Sequence, residues 1–328
     1  MPLQVTNTAD NSTVHQNNYV AEDFNSPLLV EAAREINLPF GDGQLKHWYF
    51  EGIRLAYSLW KYKSVETIEW KTNLDVVTLY FSLKGKTTIE VKEFGKPFVF
   101  NTGQYNLFYT GKFKGLFTSH ELLQETFIIQ FTKDVFIQLA EKSGSVWQDF
   151  IIKLEAGNPV LLADENRYMD VAMHDAIRQI LDCRYRGPVK KMFLYAKCLE
   201  IVAAQINALE CAKNKTPVYC KTDYDRERIL FARDYLLQHM DMPPSLSELS
   251  HIAGINEFKL KRGFKELFNT TVFGYLAEHR LQLAKYDILE GKKTATEIAF
   301  ELGYASPQHF STAFKKKFGV SPKNAKYR

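Results

Sequence analysis

Ser245–Gly254, SLSELSHIAG, and Thr294–Gly303, TATEIAFELG, carry one pattern twice, 49 residues apart. Each opens with a hydroxyl residue and places a glutamate three positions later, Ser245 with Glu248 and Thr294 with Glu297. That spacing is a capping box: the hydroxyl accepts from an orphan amide of the first turn, and the carboxylate reaches back to the cap's own amide. Apolar residues follow in step, Leu246, Leu249 and Ala253 against Ala295, Ile298 and Leu302. Each run then meets a glycine, Gly254 or Gly303, where a helix must stop and turn. A second helix is predicted after each turn. Asn256 caps the first, and Ser306 caps the second with Pro307 at the first helical position, where a missing N–H costs nothing. Leu260, Phe264 and Phe268 form one inner stripe, and Phe310, Phe314 and Phe318 form the other. Helix, glycine turn and helix make a helix-turn-helix, here in two copies.

Between the copies, Val272–Gly291 is predicted as one helix with Phe273, Leu276, Ala277, Ala284 and Ile288 near its inner face. A helix of ~20 residues spans about 30 Å, against roughly 34 Å between successive major-groove faces. A spacer of that length suits two reading helices on one side of a duplex. The outward residues of the first reading helix are Phe258, Lys261, Arg262 and Lys265, with Glu257 beside them. Arg262 has the fork that bonds guanine O6 and N7 together, Lys261 reaches the same atoms, and Phe258 suits a thymine methyl. The second helix offers Gln308, Ser311, Thr312, Lys315 and Lys316. Gln308 suits adenine, Ser311 and Thr312 bond either kind of edge, and the lysines suit phosphate.

The charge distribution agrees. The 328 residues hold 42 Lys+Arg and 38 Asp+Glu, a net charge of +4. Residues 1–222 are balanced, whereas from Lys259 onward 14 basic residues face 6 acidic ones. A basic C-terminal stretch points to a polyanion partner.

Upstream, the pattern changes. Residues 1–22 read as a mobile polar arm. Residues 23–138 read as a β-rich domain, densest over 48–136. Val76–Phe94 forms a hairpin about Lys84-Gly85-Lys86, followed by strands at Phe98–Asn101, Tyr105–Tyr109, Gly115–Thr118 and Glu125–Thr132. Such short strands suggest a small barrel or sandwich. The stretch 48–136 holds 20 of the 45 aromatic residues. Two readings stand: an aromatic core, or a cavity lined for a bulky ligand. Residues 139–212 turn helical, with helices at Arg167–Leu181 and Lys191–Leu209. The second is apolar on several faces, which suggests burial, against a second subunit among the alternatives. Residues 213–223, with Pro217, read as a linker, and 224–328 as the double helix-turn-helix domain. The fold class is thus α+β multidomain, an N-terminal small β-barrel or sandwich with helices followed by an all-α domain.

Composition excludes several classes. At 45% apolar and 24% charged residues the chain has a globular balance. No run of ~18 apolar residues predicts a transmembrane helix, and the polar N-terminus shows no secretory signal. Cys183, Cys198, Cys211 and Cys220 contain no CxxC, so no zinc site is expected and a reducing, cytoplasmic setting is. A cupin metal centre would need clustered histidines, but the β-rich segment has only His47 and His120. No catalytic residue, metal ligand or cofactor is assigned, and enzymatic activity is not expected.

The residues from about Arg226 to Arg328 resemble the DNA-binding domain of AraC/XylS-type transcription regulators. The most specific stretch is GYASPQHFSTAFKKKFGVSPKNAKYR, from Gly303 to the C-terminus. Two positions depart: the family commonly has Arg where Thr312 stands, which weakens base contact from the second helix, and often Ser where Asn256 stands. The stretches TLYFSLKGKTTIEV, GQYNLFYTG and FLYAKCLEIVAAQI within 48–209 resemble the regulatory half of PchR-like members. The resemblance implies a bacterial regulator, frequently an activator, that binds promoter DNA and contacts RNA polymerase. It implies an N-terminal part that senses a small-molecule effector, with a ferric siderophore as one candidate, or mediates homodimerisation. The alternative is a ligand-independent regulator whose N-terminal domain only dimerises. No membrane partner is expected.

Overall fold

Two kinds of periodicity divide the chain, and the structure divides with them. The computed structural model describes residues 3–7, 13–17, 21–38, 40–111, 113–141, 147–213, 219–220, 222–268, 270–291 and 293–325. Two compact units result, Met1–Lys213 and Asn214–Arg328.

The N-terminal unit contains β1 (Leu3–Asn7), β2 (Thr13–Asn17), β3 (Val30–Leu38), β4 (Gly41–Phe50), β5 (Ile53–Tyr62), β6 (Glu66–Thr72), β7 (Val76–Lys84), β8 (Thr87–Val91), β9 (Phe98–Phe100), β10 (Gln104–Tyr109), β11 (Phe113–Ser119) and β12 (Leu123–Thr132). Helices α1 (Lys133–Glu141) and α2 (Gln148–Glu155) follow, then β13 (Val160–Leu161), β14 (Arg167–Tyr168), α3 (Val171–Leu181) and α4 (Gly187–Lys213). One sheet runs β2-β1-β6-β11-β8-β9 and the other β13-β10-β7-β12-β5-β4-β3, with β14 also on β10. Among the described residues neither sheet closes on itself, so the sandwich reading holds and the barrel reading does not.

Alternation along β7 and β12 explains the layers, because successive side chains point to opposite faces. Val77, Leu79, Phe81, Phe127, Ile129 and Phe131 are buried in one core with residues of the helices, among them Phe136, Ile177, Leu194 and Ile201. The intervening residues Thr78, Tyr80, Thr126, Ile128 and Gln130 line the space toward the other sheet. There Tyr80 and Phe108 meet Ile89, Val91, Phe98 and Phe100 of β8 and β9.

Several expectations change. Residues 3–7 and 13–17, expected in a polar arm, form an antiparallel pair that continues the smaller sheet, with Val5 opposite Trp70. The remaining residues of the expected arm up to 20 lie outside the described residues. Strands β3–β6 occupy 30–72, where alternation is weak because β3 is an edge strand largely exposed on both faces. The segment expected to be helical over 139–212 includes β13 and β14, and the helix expected from Arg167 starts at Val171. Arg167–Tyr168 pairs with β10, and Asp170 caps the helix by accepting from the Met173 amide at 2.8 Å.

By length and composition, Gly187–Glu210 of α4 matches a membrane span. Its residues Leu194, Cys198, Ile201, Val202 and Leu209 are buried in the core of this unit.

The C-terminal unit contains α5 (Asp223–Gln238), α6 (Leu246–Ile252), α7 (Glu257–Phe268), α8 (Val272–Glu290), α9 (Ala295–Glu301), α10 (Pro307–Phe318) and α11 (Pro322–Ala325). Both capping boxes form. Ser245 N donates to Glu248 Oε2 at 2.8 Å and Glu248 N to Ser245 Oγ at 3.2 Å; the Thr294–Glu297 distances are 2.7 and 3.2 Å. Gly254 and Gly303 turn the chain at φ +68° and +71°, a conformation that costs other residues. Gly263 has a different role: a Cβ there would sit 2.8 Å from Cys220 Sγ and 3.0 Å from Ile229 Cδ1, so the close approach of α7 and α5 requires it.

Helix α8 corrects its predicted face. Leu276, Ala284 and Ile288 are buried as expected, but Phe273 and Ala277 are exposed. Val272, Tyr275 and Leu281 are buried instead, because α8 packs against α7 on one side and α9 and α10 on another.

Candidate nucleic-acid interface and interior cavity

Burial on α7 follows its inner stripe. Leu260, Gly263, Phe264 and Phe268 are buried, and the Phe264 ring packs tilted against Phe268 and edge-on to Tyr275. The opposite stripe, Phe258, Lys261, Arg262 and Lys265, is exposed at spacing i, i+3, i+4, i+7, which is one helical face. Phe258 is 60% exposed, a large apolar side chain held in water. Lys261 pairs with Glu257 at 3.3 Å. Asn256 Oδ1 accepts from the Lys259 amide at 2.8 Å and fixes the entry of the helix.

Helix α10 repeats the arrangement. Phe310 and Phe314 are buried among Ile298, Ala299 and Leu302. Gln308, Thr312, Lys315 and Lys316 are exposed and Ser311 half-buried, so Gln308, Ser311, Thr312 and Lys315 make the same four-residue face. Ser306 caps the helix through the His309 amide at 3.2 Å. Lys317, beside this face, is committed to Glu278 at 2.8 Å.

Sequence reasoning missed a contact on the first face. Of the predicted linker, residues 214–218 and 221 lie outside the described residues, but Tyr219 and Cys220 are built onto α7. Their amides donate to the Glu266 carboxylate at 2.9 and 3.4 Å. The Tyr219 ring lies edge-on to Phe258 at 5.6 Å, and the Arg262 guanidinium lies 5.8 Å from the Tyr219 ring centre and 5.7 Å from that of Phe258. Cation–π contacts of this kind hold the guanidinium in a preferred orientation. No local pattern in the sequence signals this pairing, 47 residues apart.

The second feature, one of the two readings the aromatic content left open, is a cavity of about 190 Å³ between the two sheets of the N-terminal unit. Sandwich interiors are ordinarily filled by apolar side chains. Here Arg54, Thr78, Gln124, Thr126 and Gln130 line the space with Trp60, Tyr62, Trp70 and Phe117. Arg54 Nη1 donates to Gln130 Oε1 at 2.8 Å, and Gln130 Nε2 donates to Thr78 Oγ1 at 3.2 Å. His47 lies at the same end, its pKa held down to about 4 by burial and then by Arg54 and Arg34. The sequence carried a signal: Gln124, Thr126 and Gln130 share one face of an otherwise apolar strand. Among the described residues no group of three or more His, Cys, Asp or Glu is placed to hold a metal ion.

Buried thiols complete the inventory. Burial raises the Cys198 pKa, and burial with Glu266 and Asp225 pushes Cys220 up to about 11, so both are protonated at neutral pH.

The family of the regulatory protein PchR N-terminal domain matches residues 43–218, more than half of the chain. The chain belongs to this family. A helix-turn-helix domain family matches residues 249–328, and this part is of the AraC type. Regulatory protein PchR of Pseudomonas aeruginosa is 37% identical over 113 residues, 34% of this chain and 38% of that protein. The probable transcriptional regulator LumQ of Photobacterium leiognathi is 30% identical over 117 residues, 35% of this chain and 47% of that protein. The match therefore spans less than half the length of either relative. Among solved structures, an AraC-type transcriptional regulator from Chromobacterium violaceum is 22% identical, covering 32% of this chain and 95% of that one with a TM-score of 0.30.

Proposed function

We propose that this protein is a sequence-specific DNA-binding transcription regulator of the AraC/XylS type, acting in the cytoplasm as an activator that engages promoter DNA and RNA polymerase. One observation carries the reading: both α7 and α10 present an exposed polar and basic face at the same four helical offsets, with a phenylalanine core behind each. Phe258, Lys261, Arg262 and Lys265 are the base-reading and phosphate-holding set of the first helix; Gln308, Ser311, Thr312, Lys315 and Lys316 are that of the second. Helix α8, at 19 residues, is about 28 Å long, which suits two adjacent major-groove segments. Selection of duplexes from a random library by the full-length chain tests this. The expected product is a site of two conserved segments about 10 base pairs apart. No enrichment over competitor DNA would overturn it.

The cavity supports effector control of that binding, and a ferric siderophore is one ligand to test. A ligand at 100 times its dissociation constant adds about 2.7 kcal/mol to stability, visible as a raised unfolding midpoint. The second reading, dimerisation without an effector, has its own support. Val189, Met192, Ala196, Leu199 and Ala203 of α4 are exposed at alternating three- and four-residue spacing, the seam of a coiled coil. In this proposal a second copy covers that seam, and the two roles coexist. Met192→Glu with Leu199→Glu would then yield a monomer by light scattering; an unchanged mass would exclude the seam.

A further inference from the structure

The lining of the sandwich cavity has a sign as well as a volume. Its charged side chains among the described residues are Arg34, Lys46 and Arg54, all cationic, and no Asp or Glu joins them. Arg34 and Lys46 are exposed, whereas Arg54 is half-buried and oriented across the sheet by its bond to Gln130. His47 shares this end, its pKa held down to about 4 first by burial and then by the charges of Arg54 and Arg34. The arginines' part in this is a positive potential, and the same potential attracts an anion.

The other end differs. Gln124 faces Trp60 across the β12–β5 pair, six residues along β5 from Arg54. It is only 4% exposed, and neither atom of its amide has a protein partner. The indole N–H of Trp70, also in the lining, is buried and unpartnered. A buried polar group left unsatisfied costs about 1–3 kcal/mol, so the donor and acceptor of the Gln124 amide at one end of the cavity indicate what is to be bound there. The walls between the ends are largely aromatic and aliphatic. A cavity of about 190 Å³ exceeds the ~150 Å³ that admits one benzene ring, which sets the scale of the occupant.

We infer that this cavity takes a small organic anion with a flat aromatic body, its charged group at the Arg34–His47–Arg54 end and a hydrogen-bonding group at the Gln124 end. The inference rests on reading the cavity as the effector site.

A matched pair of fluorescent probes tests the inference in the full-length protein. 8-Anilinonaphthalene-1-sulfonate and N-phenyl-1-naphthylamine share a body and differ in the sulfonate. The sulfonate probe is expected to bind at one saturable site per chain with a dissociation constant at least tenfold lower than that of the neutral probe. Arg54→Gln, and separately the surface variant Arg34→Gln, should bring the two constants together mainly by weakening the anion. Ala56→Phe fills the cavity from β5 and should abolish both. If both probes bind equally and ignore the arginines, yet Ala56→Phe abolishes them, the cavity stands and the anion assignment falls. If Ala56→Phe changes neither, the effector-site reading falls with it. No saturable binding of either probe also overturns the inference. Far-ultraviolet circular dichroism of each variant verifies the fold, and Arg34→Gln keeps the charge test available should Arg54→Gln unfold.

Discussion

The two units arrive at their sites by opposite routes. In the C-terminal unit the exposed faces of α7 and α10 are consequences of rules acting within a dozen residues: a cap, an inner stripe, a glycine. In the N-terminal unit Arg54, Gln130 and Thr78 meet only because β5, β12 and β7 pair in one register, bringing together residues up to 76 apart. Local rules make a site readable in advance and repeatable, as the second copy demonstrates. Long-range pairing makes a site that can enclose something, since only stacked sheets produce an interior with two faces.

The comparison can be broken most forcefully at the cores. Phe264 is fully buried and packed against two rings, and Phe264→Ala should cost about 3–5 kcal/mol. If the units are independent, calorimetry will show the C-terminal transition lowered while the N-terminal one stays. One shared shift would contradict that independence.

Next in size is Arg262→Ala, which should cost about 1–3 kcal/mol in DNA affinity and relax preference at one base position. Equal weakening on all sequences would remove its base-reading role. Lys315→Ala serves as the contrast: it should weaken every sequence alike and lower the salt slope by about one unit.

Acid titration examines the N-terminal unit alone. The folded pKa of His47, about 4, lies below its unfolded value near 6.5, so the unfolded chain binds the extra proton between these values. Stability should therefore fall as pH drops from about 6.5 to 4, by on the order of 1–2 kcal/mol, less than the full depression implies because solvent screens a half-buried ring. Urea unfolding of wild type and His47→Gln checks this, the variant losing that part of the slope. A slope unchanged in the variant would assign the acid sensitivity elsewhere.

The smallest effect is the sharpest test of repetition. Ser245→Ala and Thr294→Ala each remove one capping hydroxyl and should each cost about 1 kcal/mol. Costs that differ by more than twofold would indicate that the copies, alike in sequence, are unequal in their surroundings.

These contrasts also explain what was legible. The capping boxes, both glycine turns and the Phe310 and Phe314 stripe could be read because each obeys a helical period. The turn about Gly85 was legible from its residues, but the expected hairpin does not form: β7 pairs with β10 and β12 in one sheet and β8 with β9 and β11 in the other. Phe273 was misplaced because α8 has neighbours on two sides, so one stripe does not describe it. The edge strand β3 and the pairing of β1 with β6 were illegible because neither leaves an alternating pattern. The cavity was readable only as two alternatives, since aromatic content alone does not distinguish a filled interior from a lined one. What distinguishes them is the polar face of β12, which acquires meaning once β5 and β7 are known to flank it.

One carboxylate has a consequence of another kind. Glu266 fastens the amides of Tyr219 and Cys220 to the last turn of α7, one turn from Arg262. A chain entering the C-terminal unit could have been anchored first at α5, where Thr222 caps the helix. Among the described residues its first anchorage is instead α7. A pull on the chain at Tyr219 is borne by α7 and by the ring against Arg262 before it reaches any other part of this unit. Under the proposed function, tension at Tyr219 becomes a mechanical input to the face proposed to meet the bases.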